Sequence, residues 1–255
     1  MLLVWMPSAA TALRTEILFA GGGGILARVA AYDPATDTWT ERARLPAPPP
    51  ERQQLALAMV RNRVLAVGGK PGLHGAVASS AVLSYDPALD EWALRTDMPT
   101  ARLGLVGGTV AGKVYAIGGW NGAISGAVEE YDPVVDQWVQ KKDMLTPRAY
   151  ASSVVVNRRI YVIGGTEAVG GPGVVVDAYD PARDTWRRLA DLPNPRDAAA
   201  AVTYEGKIYL LGGQSGAGLA PVLDSVLVYD TGFRGPFSVS PRDSLITTWS
   251  ALKSE

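Results

Sequence analysis

The sequence predicts an all-β protein assembled from repeated four-stranded antiparallel units. Three observations carry this. The pattern Tyr-Asp-Pro-x-x-Asp-x-Trp occurs four times, beginning at Tyr32, Tyr85, Tyr131 and Tyr179, and a fifth, broken copy begins Tyr229-Asp230. A Gly-Gly pair closes an apolar run at Gly68, Gly118, Gly164 and Gly212, with spacings of 50, 46 and 48 residues and an earlier version at Gly21-Gly22. No segment sustains the 3.6-residue apolar spacing of a helix, so essentially no helix is expected. A period near 50 is that of a propeller blade and too long for leucine-rich or ankyrin repeats.

Each period reads as four short strands, A to D. In the third, strand A covers Ala149 to Val156, and Asn157-Arg158-Arg159 is a polar turn. Strand B covers Ile160 to Ile163 and ends at Gly164-Gly165. Strand C covers Gly173 to Tyr179, residues 180–184 turn, and strand D starts near Trp186. Short strands bounded by Gly, Pro, Asn and Asp are the antiparallel signature. Asp-Pro-x-x-Asp makes the C-to-D turn, because Pro presets φ and Asp bonds its own backbone. Tyr and Trp flank that turn with large buried area and polar tips that need partners. Gly-Gly ends strand B where φ is positive or another backbone comes close.

Further regularities accompany these. An Arg precedes the first Gly of four pairs by 16 residues, at Arg52, Arg102, Arg148 and Arg196. Leu45-Pro46, Met98-Pro99 and Leu192-Pro193 follow their Trp at fixed spacing. On these residues the chain resembles the kelch repeat family, over roughly residues 14 to 230. The resemblance implies a β-propeller of four-stranded blades around a central channel. Residues 1–255 are then one propeller domain. Its repeats lie at about 14–46, 52–99, 102–147, 148–193 and 196–230, and 231–255 form an irregular tail or closing strand. Five blades are visible, either a small ring or a truncated six-bladed one. Closure could use Met6-Pro7 or Thr248-Trp249, the latter resembling Thr38-Trp39.

Composition excludes several functions. The net charge of −1 gives no reason to expect nucleic acid or an anionic membrane. No apolar run approaches a transmembrane span, and the N-terminus lacks a basic region before Pro7, so no signal peptide is expected. The compartment stays open, with the cytoplasm favoured. Without Cys and with His74 as the lone His, disulfides, thiolate sites and multi-histidine metal sites are ruled out. The copper radical oxidase chemistry known among kelch-related proteins is excluded with them. No cofactor or metal is expected.

Function is expected where blades differ, because a residue needed in every blade holds the blade. The B-to-C and D-to-A loops share one face of a propeller. The B-to-C loops vary here: Lys70-Pro71-Gly72-Leu73-His74, Trp120-Asn121-Gly122, Thr166-Glu167-Ala168 and Gln214-Ser215-Gly216. Trp120 is the best single candidate, an aromatic beside Asn121 that can anchor a peptide or stack on a sugar. Its alternative is packing against a neighbouring loop. The four arginines could form a cationic ring gripping carboxylates. Their alternative, at a repeated position, is structural pairing with Glu51, Glu129, Glu130, Glu167 or Asp197. His74 reads as a solvated loop residue. The opposite face carries Arg61, Arg63, Lys113, Arg158, Arg159 and Lys207 beside Asp37, Asp90, Asp136 and Asp184, a salt-laced surface.

The leading expectation is a binding module that docks a protein, a peptide or an acidic ligand. The family resemblance adds a second class, a carbohydrate-processing enzyme like the kelch-type sialic-acid mutarotase, or carbohydrate binding. There Tyr150, Glu167 and the arginines would meet an acidic sugar, while Gln214 stays a candidate contact of the variable loops. Oligomeric state is not written in the sequence.

Overall fold

The computed structural model describes residues 9–12, 15–20, 29–46, 52–71, 77–168, 170–216 and 222–232, and every regular element among them is a strand. The chain divides into two compact units, Met1–Ala149 and Tyr150–Glu255.

The first unit holds three four-stranded antiparallel sheets. Blade 1 is β1 (Ala9–Ala12), β2 (Ile17–Ala20), β3 (Val29–Asp33) and β4 (Thr38–Arg42) in chain order. A two-residue strand, β5 (Arg52–Gln53), precedes blade 2 and pairs with β8 (Lys70–Pro71). Blade 2 itself is β6 (Ala56–Val60), β7 (Arg63–Val67), β9 (Val82–Asp86) and β10 (Glu91–Arg95). Blade 3 is β11 (Val106–Val110), β12 (Lys113–Ile117), β13 (Val128–Asp132) and β14 (Gln137–Lys141), and β15 (Arg148–Ala149) follows. In the second unit, blade 4 is β16 (Ser152–Val156), β17 (Arg159–Ile163), β19 (Val176–Asp180) and β20 (Thr185–Arg188), with the short β18 (Thr166–Glu167) in its B-to-C loop. Blade 5 has three described strands, β21 (Ala200–Tyr204), β22 (Lys207–Leu211) and β23 (Val226–Asp230).

Past the basic residue that opens most of them, the B strands are apolar or aromatic throughout because their two faces feed two different cores. In β7, Val64 and Ala66 join Leu18, Ala20, Val29 and Ala31 of blade 1. Leu65 and Val67 join Leu105, Val114 and Ala116 of blade 3. Alternation along a strand places neighbours on opposite faces, so a strand sandwiched between blades cannot keep a polar face. In the second unit, Tyr161, Ile163 and Val176 of blade 4 pack on Ile208, Leu210 and Leu227 of blade 5.

The repeated octapeptide is a hydrogen-bonded corner. Asp33, Asp86, Asp132 and Asp180 each accept from the amide two residues on, at 2.8, 3.0, 2.9 and 3.2 Å. The Tyr hydroxyl donates to the second Asp: Tyr32 to Asp37 at 2.8 Å, Tyr85 to Asp90 at 2.5 Å, Tyr131 to Asp136 at 2.5 Å and Tyr179 to Asp184 at 2.6 Å. Those second aspartates all have positive φ, from 52° to 55°. Each Tyr lies opposite its Trp across the strand pair, with ring centroids 4.9–5.1 Å apart. The corner also reaches the preceding blade. Trp92 Nε1 donates to the Ala43 carbonyl while Asp90 accepts from the Ala43 amide. Trp138 and Asp136 hold Thr96 in the same two ways.

One expectation is corrected in detail. Strand A of blade 4 does not run unbroken from Ala149, because Tyr150 adopts φ of 53° and the ladder restarts at Ser152. The basic A-to-B turns meet aspartates of the octapeptide corner, a salt-laced surface. They pair with the first: Arg63 with Asp86 at 2.9 Å, Lys113 with Asp132, and Arg159 with Asp180 at 3.8 Å.

Candidate functional site

The four repeated arginines are buried within their own units, only 0–4% exposed. Arg102 donates through Nη1 to the carbonyls of Gly118 (2.9 Å) and Ala127 (2.6 Å), and through Nη2 to the Glu129 carboxylate (2.6 Å). Arg196 donates through Nη1 to the Gly212 carbonyl at 2.8 Å and through Nη2 to the Ser225 hydroxyl at 3.0 Å. Arg52 Nη1 reaches the Ala81 carbonyl at 3.1 Å. Burial pulls Arg52, Arg102 and Arg196 below the ordinary arginine value, opposed at Arg102 by Glu129. A guanidinium still keeps its charge under such a shift. These arginines are blade fasteners: Glu129, one of the carboxylates considered from the sequence, pairs within the same blade. A ring of solvent-facing guanidiniums is not what the fold presents.

The Gly-Gly pairs explain the same geometry from the other side. The amides of Gly69 and Gly165 donate to the carbonyls of Arg102 and Arg196 in the next blade, at 2.8 and 3.0 Å. Gly68 has φ of 65°, and a Cβ there would lie 2.6 Å from the Arg102 carbonyl oxygen. The corresponding clash at Gly164 is 2.2 Å from the Arg196 oxygen. Only glycine fits both the handedness and the approach.

The residue after each Gly-Gly pair is then fixed by main chain alone. Lys70 lies opposite Gln53, Trp120 opposite Leu103, and Gln214 opposite Asp197. Trp120 exchanges two bonds with Leu103, at 2.8 and 3.0 Å, and Gln214 exchanges two with Asp197, both 3.0 Å. The scaffold is identical while the side chains are Lys, Trp and Gln. Trp120 is half-buried, and Asn121, Gly122 and Ala123 beyond it are exposed. The Asn121 amide donates to the Ala123 carbonyl at 3.1 Å, closing a tight tip.

A second group lies within the other unit. Thr166 donates its hydroxyl to Asp197 at 2.8 Å. Tyr150 is half-buried, and burial raises its phenol, with Asp197 adding to the rise. The Glu167 carboxylate folds over its own loop, so close that a Cβ on Gly173 would sit 2.0 Å from Oε1. Gln214 is half-buried on the same framework as Asp197. His74 lies outside the described residues. No group of three or more His, Asp or Glu suited to a metal ion occurs among the described residues.

One feature of this face is missed by sequence reasoning. Two residues after each repeated Arg, the backbone turns left-handed: Gln54 at 56°, Gly104 at 59°, Tyr150 at 53° and Ala198 at 48°. The Gln54 carbonyl accepts from the Gly104 amide at 2.8 Å, and the Tyr150 carbonyl accepts from the Ala198 amide at 2.9 Å. Successive blades are thus stapled main chain to main chain. Glycine at 104 is the one residue that signals it.

The family model described as the Kelch motif matches residues 101–145, 147–193 and 195–234, together just over half of the 255 residues. The chain belongs to the kelch family. Its kelch-like protein 7 relatives from Rattus norvegicus and Mus musculus are each 34% identical over 100 residues, 39% of this chain. That match spans only 16% of those relatives' own length. Among solved structures, the structure of YjhT aligns with a TM-score of 0.72 at 18% identity, covering 83% of this chain and 73% of that one. At that identity the likeness speaks for the kelch β-propeller fold. No helix among the described residues is long and apolar enough to cross a membrane.

Proposed function

We propose that this kelch chain is a binding module that captures an extended segment of a protein or peptide on its B-to-C loop face. One observation carries the reading: the position after Gly-Gly has a constant main-chain frame and an unrelated side chain in each blade. A rigid frame with interchangeable side chains is the arrangement that generates specificity. Trp120 is the anchor, because its backbone is pinned by Leu103 while its ring is half-exposed, and Asn121 supplies adaptable hydrogen bonds beside it. Lys70 adds a positive charge on the same frame, so the bound segment carries polar or acidic groups. The repeated arginines act beneath this surface, holding the loops rather than the ligand.

The test is selection of a random peptide library on the immobilised chain, followed by binding of the selected peptides to Trp120→Ala and Asn121→Ala. Retained folding with affinity reduced about 10- to 100-fold in Trp120→Ala is expected for a hot-spot aromatic. Equal binding of the selected peptides to the chain and to Trp120→Ala overturns the reading.

A further inference from the structure

The loop tip beside Trp120 holds the one Asn-Gly pair of the chain. The four asparagines are Asn62, Asn121, Asn157 and Asn194, and they precede Arg63, Gly122, Arg158 and Pro195. An asparagine side chain is an electrophile for the main-chain nitrogen that follows it, because attack within the chain closes a five-membered ring. Three conditions favour that closure. The side-chain amide is exposed, the following N–H bonds nothing, and the following residue has no Cβ to crowd the ring.

Asn121 meets all three. Asn121, Gly122 and Ala123 are exposed. The Asn121 main-chain amide donates to the Ala123 carbonyl at 3.1 Å, whereas neither the Gly122 amide nor the Asn121 side chain makes a hydrogen bond among the described residues. Gly122 has φ of 106°, and a Cβ there would meet no atom within 4 Å, so the ring and an attacking water both have room. The tip is held at its base, where Trp120 bridges both Leu103 and Ile124 and the Ser125 amide donates to the Gly119 carbonyl at 2.8 Å. Chemistry at residues 121–123 therefore leaves the blade intact. The other asparagines each fail a condition. Pro195 has no N–H to attack with. Arg63 and Arg158 carry side chains, and Asn62 and Asn157 sit in tight turns that place Val60 opposite Arg63 and Val156 opposite Arg159.

We propose that Asn121 is a self-modifying site, whose conversion to an aspartyl or isoaspartyl residue retunes the Trp120 loop. The Gly122 nitrogen attacks Asn121 Cγ and the Cγ–Nδ2 bond breaks. Nδ2 leaves as ammonia, carrying the proton that Gly122 gives up. Water then opens the succinimide at one of its two carbonyls and restores the N–H. One opening leaves an aspartyl side chain on the normal main chain, and the other leaves an isoaspartyl link with an extra main-chain methylene. Ammonia leaves and water enters, with nothing oxidised or reduced. Either product sets a carboxylate beside Trp120 where a neutral amide stood. A segment carrying acidic groups is then repelled. That effect on binding rests on the loop-face reading above, and the chemistry itself does not.

The test is incubation of the full chain at mildly alkaline pH, followed by peptide mapping in a mass spectrometer. The peptide holding Asn121 is expected to gain about 1 Da and to become a substrate for an isoaspartyl-specific methyltransferase, while those holding Asn62, Asn157 and Asn194 keep their mass. Gly122→Ala should slow the conversion about tenfold, and Asn121→Gln, whose ring would have six members, should abolish it. No conversion at Asn121, equal conversion at Asn62 or Asn157, or an undiminished rate in Gly122→Ala overturns the site. Ion exchange separates the converted chain, and a peptide selected on the fresh chain is titrated against both. Binding about two- to fivefold weaker is expected for the converted chain and for Asn121→Asp, the worth of one exposed charge. Equal affinity of fresh and converted chains, with binding still lost in Trp120→Ala, overturns the effect on binding and leaves the loop-face reading standing. Conversion at Asn121 with full binding to Trp120→Ala overturns that reading and leaves the modification site standing.

Discussion

Arg102 and Glu129 form an ion pair at 2.6 Å in which the side chains are 0% and 3% exposed. Burying two charges is tolerated here because the remaining guanidinium donors meet the carbonyls of Gly118 and Ala127. Arg102→Ala would strand Glu129 in the interior. It is expected to cost about 3–5 kcal/mol, the range for breaking a buried pair. Urea unfolding should show the midpoint falling far more than for Arg63→Ala, whose pair with Asp86 is half in water.

Trp138→Phe keeps most of the ring area and removes the N–H that donates to Thr96 at 3.0 Å. The expected loss is about 1 kcal/mol, the net worth of one such bond. Trp138→Ala also removes the packing on Tyr131, and is expected to lose about 3–5 kcal/mol. Parallel denaturant titrations of the two variants separate the bond from the bulk.

The Tyr–Asp corners predict acid sensitivity. Asp136 is held below the usual aspartate range, first by the Tyr131 hydroxyl and then by the Thr96 amide. Asp90 is held down by the Ala43 amide and the Tyr85 hydroxyl. A depressed carboxyl stabilises the fold fully above the unfolded aspartate value of about 3.9, and that stabilisation disappears as pH falls through the folded value. Tyr131→Phe should therefore raise the Asp136 carboxyl and move acid unfolding to higher pH. Carboxyl-carbon titration by NMR, alongside an acid unfolding curve, measures both.

Gly164→Ala and Gly122→Ala should differ although both glycines have positive φ, 60° and 106°. At Gly164 the added methyl strikes the Arg196 carbonyl, so the two blades must separate there. At Gly122 it meets no atom within 4 Å, leaving only backbone strain of about 1–3 kcal/mol. Thermal melts are expected to place Gly164→Ala well below Gly122→Ala.

What could be read from the sequence follows from how local each interaction is. The octapeptide is legible because Tyr131 donates to Asp136 and the Val134 amide donates to Asp132, all within six residues, so spacing alone encodes the corner. Arg102 was legible as a repeated residue but not as a fully enclosed one. Its partners come from Gly118, Ala127 and Glu129, and only the folded blade brings them together. The left-handed turn at Tyr150 was invisible because its bond to Ala198 uses main-chain atoms that every residue carries. Trp120 stood out as the odd residue in its loop, but the pinning by Leu103 that makes it an anchor is a tertiary fact.

The staple between Gln54 and Gly104 asks nothing of a side chain except tolerance of a left-handed backbone. Gln, Gly, Tyr and Ala already occupy its four positions, so the fold has sampled polar, absent, aromatic and small groups there without changing its frame. Asn or Asp grafted at these points would inherit a ready-made orientation, since both accept that backbone more easily than most residues. At Ala198, the exposed one of the four, the surface can be rewritten for a new ligand while the blades beneath keep their hydrogen bonds.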